Sequence, residues 1–211
     1  MKILVTGFEP FGGEVRNPSA EVVESLPDAV GTIEIIKLVL PVERYRCAEL
    51  VKQAVLTHRP DAVLSIGQAG GRAAVSVERV AINLDDYRIE DNVGNRPKEE
   101  PVVPGGPDAY FTNIPVENMA SNIRFLGVPA AVSLSAGSFV CNHLMYSVRH
   151  WLEEQGMDTP FCFIHIPYLP EQAVKKPGQP SMSMELIRKA IDVAVMKMAL
   201  YAKDKEKKEP R

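Results

Sequence analysis

No apolar run in this chain approaches the roughly 18 to 20 residues that a membrane-spanning helix needs, so no membrane partner is expected. Its three cysteines, Cys47, Cys141 and Cys162, are odd in number and widely spaced, with no CxxC pair. Neither a disulfide framework nor a zinc site is indicated, and in a reducing compartment all three can be free thiols. A long basic run is also missing. The formal net charge is −3, and the electrostatic footprint of a phosphate-backbone binder is absent, so nucleic acid is not an expected partner. The amino terminus, Met1-Lys2-Ile3-Leu4-Val5-Thr6-Gly7, is too short and too strand-like for a secretory leader, and the expected location is the cytoplasm. What remains is an ordinary globular balance, 45% apolar and 24% charged in 211 residues, enough for one well-buried core.

Short apolar runs alternate with helical patterning. Lys2 to Phe8 reads as a strand, followed by the turn-rich loop Glu9-Pro10-Phe11-Gly12-Gly13-Glu14. Asn17 fits an N-cap and Pro18 the first position of a helix running to residue 26. The β-branched run 32–40 predicts a second strand ended by Pro41, 42–58 a helix stopped by Pro60, and 61–67 a third strand. Residues 73–83 read as a further strand pair. Residues 84–110 hold many charges, glycines and prolines and read as a long excursion, of a length that is usually functional or disordered. Then come a helix over 116–126, a strand over 130–135, a helix over 139–155, a strand over 161–166 and a long closing helix over 181–201. Strands separated by helices predict the α/β class: a single-domain α/β/α sandwich with a mainly parallel central sheet. Residues 1–202 are expected to form the domain and 203–211 a charged, disordered tail.

In open α/β sheets ligands collect at the carboxyl ends of the strands. Four segments fall there, at residues 7–13, 67–72, 135–141 and 165–168. Cys141 lies in the first turn of a predicted helix that leaves a small-residue turn, where backbone N–H groups and the helix dipole favour a thiolate. Cys47 in a helix and Cys162 inside an apolar strand read as small buried hydrophobes. A thiolate nucleophile needs a base, and His143, two residues beyond Cys141 on the same helix, does not face it. His58 and His150 read as surface or helix-terminus residues. His165 emerges near the carboxyl end of its strand, on the edge where Cys141 appears, although a satisfied core histidine is an equal reading. Glu78 stands out among the 27 acids because it sits in an apolar stretch after the glycine-rich turn. It is either an orienting acid for the base or the partner of Arg79 or Arg72 in a structural salt bridge.

Two long signatures then stand out. One has Gly67, Gly70 and Gly71 followed by Val75-Ser76-x-Glu78-Arg79-Val80-Ala81-x-Asn83; the other is Ser133-x-Ser135-Ala136-Gly137-x-Phe139-Val140-Cys141-Asn142. With Thr6-Gly7-Phe8-Glu9-Pro10-Phe11-Gly12-Gly13 and the segment from Phe163 to Gln172, they resemble the pyroglutamyl peptidase I family of cysteine peptidases (pyrrolidone carboxyl peptidases), over residues 1 to about 201. The resemblance implies Cys141 as nucleophile, His165 as base and Glu78 as the orienting acid. It implies a substrate pocket lined by Phe8, Phe11, Gln68, Ile89, Phe139 and Val140, with Arg88 near the oxyanion. It also implies an α/β/α sandwich, assembly as homotetramers, and peptides with an N-terminal pyroglutamyl residue as substrates. Tyr87 departs from the family, which commonly has Ala there, and is expected to reshape the pocket rim.

The chemistry so implied is acyl transfer through a thioester, for which no metal or cofactor is required. Two other readings compete. One is a small-molecule or nucleotide-binding module that cradles phosphate in the turn Gly67 to Gly71, although that turn has neither the Walker nor the dinucleotide spacing. The other is an α/β module that binds pyroglutamyl peptides without turnover.

Overall fold

The computed structural model describes residues 1–206. In chain order the first half comprises β1 (Lys2–Phe8), α1 (Pro18–Ser25), β2 (Ala29–Val30), β3 (Ile33–Leu40), α2 (Arg46–His58), β4 (Ala62–Gln68), β5 (Val75–Glu78) and β6 (Val80–Ile82). The second half comprises β7 (Ala109–Phe111), α3 (Val116–Phe125), β8 (Ala130–Ser133), α4 (Val140–Glu154), β9 (Phe161–Ile166), α5 (Pro170–Ala173) and α6 (Met184–Glu206). Seven strands form one sheet in the order β2-β3-β1-β4-β9-β5-β8. The pairs β1–β3, β1–β4, β4–β9 and β5–β8 are parallel, whereas β2–β3 and β5–β9 are antiparallel.

Central strands β4 and β9 are buried at every position, as expected of strands covered on both faces. Two apolar layers do the covering. Val22 and Val23 of α1, Met119 and Ile123 of α3, and Ile187, Ile191 and Met198 of α6 close one face. Cys47, Val51 and Val55 of α2 and Leu144, Met145 and Val148 of α4 close the other. The fold is therefore the expected α/β sandwich, with Cys47 and Cys162 buried in its two cores. Helix α1 starts as its sequence predicts, with the Asn17 side chain accepting the Ser19 N–H at 3.0 Å. Gly7 admits this helix against β1, since a Cβ there would lie 2.3 Å from Ser19 O.

Several elements differ from the sequence expectation, each for a tertiary reason. The strand pair at 73–83 is not a hairpin: β5 joins the main sheet, whereas β6 pairs with β7 in a small second sheet. Helix α2 begins at Arg46 rather than residue 42. Arg44 is drawn instead to Asp85, Glu100 and Asp91, and Tyr45 takes a φ of 65°. The excursion after β6 is pinned. Asn142 bonds both Ile82 and Leu84 backbones, Ser138 and Asp86 exchange hydrogen bonds, and Asn92 ties Glu9 and Pro10. Of the expected tail, residues 203–206 continue α6, where Lys203 and Lys205 occupy the last turn and Lys205 pairs with Asp158. Cations there complement the carboxyl end of the helix dipole. The rest of that tail lies outside the described residues. Among those residues no helix is long and apolar enough to cross a membrane.

Candidate active site

Of the three groups expected to share chemistry, Cys141 and His165 line one cleft of about 970 Å³, and Glu78 lies buried against His165. Cys141 is the second residue of α4 and reaches the cleft half-buried. His165 is the penultimate residue of β9, in register with Gly67 of β4 on one side and Ser76 of β5 on the other. Because β5 runs antiparallel to β9, Glu78 lies diagonally across from His165, and its Oε1 is 2.7 Å from His165 Nδ1. That bond leaves Nε2 as the imidazole nitrogen available to the cleft. Gly67 makes room for the thiol: a Cβ there would lie 2.9 Å from Cys141 Sγ and 3.0 Å from Phe163 Cζ. Gly70 is similarly overlaid by Tyr168, whose hydroxyl would lie 2.2 Å from a Cβ. Close packing explains these two glycines, and the chain then enters β5 rather than a helix, which leaves the phosphate-cradle reading without support.

A pyroglutamyl peptidase family model matches residues 1–201. The chain belongs to this family. It is 52% identical over 184 residues to a pyrrolidone-carboxylate peptidase of Levilactobacillus brevis, covering 87% of this chain and 90% of that one. A pyrrolidone-carboxylate peptidase 1 of Caldanaerobacter subterraneus is 51% identical, over 92% of this chain and 96% of its own. The crystal structure of Bacillus amyloliquefaciens pyroglutamyl peptidase I superposes with a TM-score of 0.91 at 43% identity, covering 95% of this chain and 98% of that one. Pyrrolidone carboxyl peptidase from Pyrococcus furiosus superposes with the same TM-score, 0.91, at 39% identity, over 96% and 100% of the two chains.

The protonation states decide what the site can do. Burial pushes the Cys141 thiol up to about 12, with the Glu78 charge adding to the rise and Arg72 opposing it. At that value the thiol carries its proton at neutral pH, in place of the thiolate expected at the helix N-terminus. Burial also lowers the His165 pKa below the ordinary histidine value, against the pull of Glu78 and with the help of Arg72. Burial by itself would raise Glu78, but the His165 hydrogen bond and the Arg72 guanidinium outweigh it, so Glu78 is a carboxylate. A neutral imidazole on the same cleft as a neutral thiol can serve as a base.

Glu78 makes both of the contacts that its sequence context left open, one to His165 and one to Arg72. The Arg72 guanidinium is 2.5 Å from the Oε1 that holds His165, and a second Arg72 nitrogen donates to Ser135 O at 2.9 Å. Arg72 so ties the acid to the turn that leads into Cys141. Its position after a glycine turn was visible, but its reach to Ser135 depends on how β5 and β8 pair.

The expected pocket residues divide between two spaces. Phe8, Phe11, Gln68, Phe139 and Val140 line a small side cavity beside Cys141, completed by Asn17, expected only as an N-cap, and Val42. Arg88 and Ile89 line the wider cleft, along with Phe11, Gln68 and Phe139. Phe11 and Phe139 rings stand 5.8 Å apart at 35°. Tyr87, expected to reshape the pocket rim, does not itself line the cleft. It is fully buried and packs edge-on against the back of the pocket residue Phe139 at 4.6 Å. His143 lies away from the thiol: its Nδ1 is 2.8 Å from Asp85 and its Nε2 accepts the Tyr45 N–H at 3.2 Å. Among the described residues no group of three His, Cys, Asp or Glu side chains is placed to hold a metal ion.

Proposed function

We propose that this chain hydrolyses the bond after an N-terminal pyroglutamyl residue of a peptide, with Cys141 as nucleophile, His165 as base and Glu78 as the acid that orients it. The observation that carries this reading is the 2.7 Å bond between Glu78 and His165 on the cleft that Cys141 lines. Glu78 fixes the imidazole so that Nε2 takes the thiol proton as Sγ attacks the scissile carbonyl carbon. The resulting oxyanion meets the backbone N–H of Cys141, which Phe139, the N-cap of α4, leaves without a side-chain acceptor. Arg88, exposed on the same cleft, adds positive charge. Collapse of the tetrahedral intermediate breaks the C–N bond, and the imidazolium returns its proton to the leaving amine. Water, deprotonated by His165, then attacks the thioester and releases pyroglutamate and the thiol.

Selectivity follows from the aromatic slot. The lactam is flat and neutral and suits a slot between Phe11 and Phe139 once the rings part, whereas N-terminal Glu or Gln brings an ammonium group into apolar surroundings. Burying an uncompensated charge costs several kcal/mol, a discrimination of about a thousandfold. The side cavity as it stands holds about 10 Å³, room for about one water, so the two rings must separate to admit a lactam. Amine release from a pyroglutamyl amide, with glutamyl and glutaminyl amides left uncut, is the expected result; equal cleavage of all three contradicts the reading. The pH profile is a second check. Because His165 is lowered, it stays an unprotonated base through pH 6.5 and activity falls only below that; because the thiol is raised to about 12, no gain in rate appears near pH 8.5, where an ordinary cysteine ionises.

Glu78→Gln separates the acid's two roles. Loss of the charge should lower turnover per folded molecule by about a hundredfold or more, and should also cost stability because Arg72 loses its partner. Thermal unfolding and turnover on the same preparation measure both, and a destabilised variant with unchanged turnover removes Glu78 from the chemistry. The same reading takes residues 1–202 as the catalytic domain and the cytoplasm as its location. It takes a homotetramer as the assembly, supported by the family resemblance.

A further inference from the structure

Gln68 ends β4 and lines both the cleft and the side cavity. A side-chain amide has an oxygen that only accepts and a nitrogen that only donates, and which end faces a ligand is set by the hydrogen bonds around it. Gln68 Oε1 accepts from Gln172 Nε2 at 2.8 Å. Gln172 is buried and cannot turn round. Its Oε1 accepts the Leu169 N–H at 3.0 Å, the amide at the start of α5, and its Nε2 has two further acceptors at 3.4 Å, Glu14 Oε2 and Arg16 O. Reversing Gln172 would set its oxygen against three other oxygens and its nitrogen against an N–H. The orientation passes on to Gln68, whose Nε2 makes no hydrogen bond to any described residue and is left to the cleft.

We propose that Gln172 is a positioning residue for substrate selection: it locks the Gln68 amide so that a donor nitrogen, not an oxygen, meets the ring carbonyl of the pyroglutamyl group. This rests on the function proposed above. The ring carbonyl is what separates a lactam from a proline-like ring, and a reversed Gln68 would oppose it with oxygen. Leu169 ties the device to the helix start that follows His165, so the segment that supplies the base also sets the orientation of the selecting amide.

The test compares Gln172→Met, Gln68→Met and the double variant with the parent, reading KM and kcat for a pyroglutamyl amide and the inhibition constant of bare γ-butyrolactam. Loss of one hydrogen bond to the lactam should raise KM and the inhibition constant about tenfold in each single variant, with kcat changed far less. The double variant should be no worse than either single, because Gln172 acts through Gln68. Gln172→Glu keeps an acceptor for Leu169 and offers a second where the amide nitrogen stood, which turns Gln68 away; it should show the same rise and supplies the answer if Gln172→Met does not fold. Unchanged KM in a folded Gln172 variant, or additive losses in the double, overturns the proposal. A parent that binds the lactam but cuts no pyroglutamyl amide overturns the proposed function instead, so the two failures are distinguishable.

Discussion

Cys141→Ser is expected to fold like the parent and to lose turnover by about ten-thousandfold or more. Burial already pushes the Cys141 thiol up to about 12, and the same surroundings act on a serine hydroxyl whose ordinary pKa is far higher. His165, held neutral, can take a proton from a thiol as the C–S bond forms, but it is too weak a base to generate a buried alkoxide at a useful rate. The packing consequence is small, because Ser is no larger than Cys against Gly67. Cys47→Ser and Cys162→Ser place a hydroxyl among apolar neighbours in the two cores and should cost stability, yet turnover per folded molecule should survive. An active Cys141→Ser beside an inactive, folded Cys47→Ser reverses the assignment of the nucleophile.

His165→Ala should be nearly as damaging, since among the described residues His165 is the one imidazole that lines the cleft with the thiol. The substitution also takes one hydrogen-bond partner from Glu78. His143→Ala is the control, and its cost should be structural. His143 joins α4 to Asp85, which also holds Arg44 at 2.8 Å, and it accepts the N–H of Tyr45, a residue at a strained φ of 65°. Removing it leaves a buried carboxylate with one partner fewer and an amide unpaired, a loss of roughly 1 to 3 kcal/mol. Turnover per folded molecule should remain, with a raised KM if the loop carrying Arg88 and Ile89 loosens. A dead His143→Ala with unchanged KM and stability, beside an active His165→Ala, would falsify the assignment of the base.

Much of the fold is readable because its signals are local. Pro41 and Pro60 end their elements, Asn17 and Pro18 start a helix, and mostly apolar runs mark the two central strands. These give the layer architecture and the sheet's largely parallel character. What is not readable is where long-range pairing decides. The antiparallel insertion of β5 between β9 and β8 carries no mark in residues 75–78, yet it is what brings Glu78 to His165. The loss of helix at 42–45 follows from carboxylates more than forty residues away in the chain claiming Arg44.

The site divides in the same way. Cys141, His165 and Glu78 are legible because each falls at a place the fold singles out and within signatures shared with a family. Arg72 and Gln172 are harder, because each acts through a partner set by tertiary contact. Arg72 shares an oxygen of Glu78 with His165, and Gln172 holds Gln68 across 104 residues. Tyr87 shows the reverse case. Its departure from the family was visible, but its direction was not, and the ring lies behind Phe139 rather than on the rim. Its hydroxyl has no hydrogen-bond partner among the described residues, which is the kind of local cost that no composition or periodicity reveals.

The central claim is that one thiol performs the chemistry, and alkylation with peptide mapping tests it most directly. The parent is treated with a thiol reagent for increasing times, and each sample is divided between mass analysis of the three cysteine peptides and amine release from a pyroglutamyl amide. Cys47 and Cys162 are fully buried whereas Cys141 opens on the cleft, so Cys141 should be modified first and activity should fall in proportion to its modified fraction. Undiminished amine release from protein whose Cys141 is wholly alkylated would contradict the account.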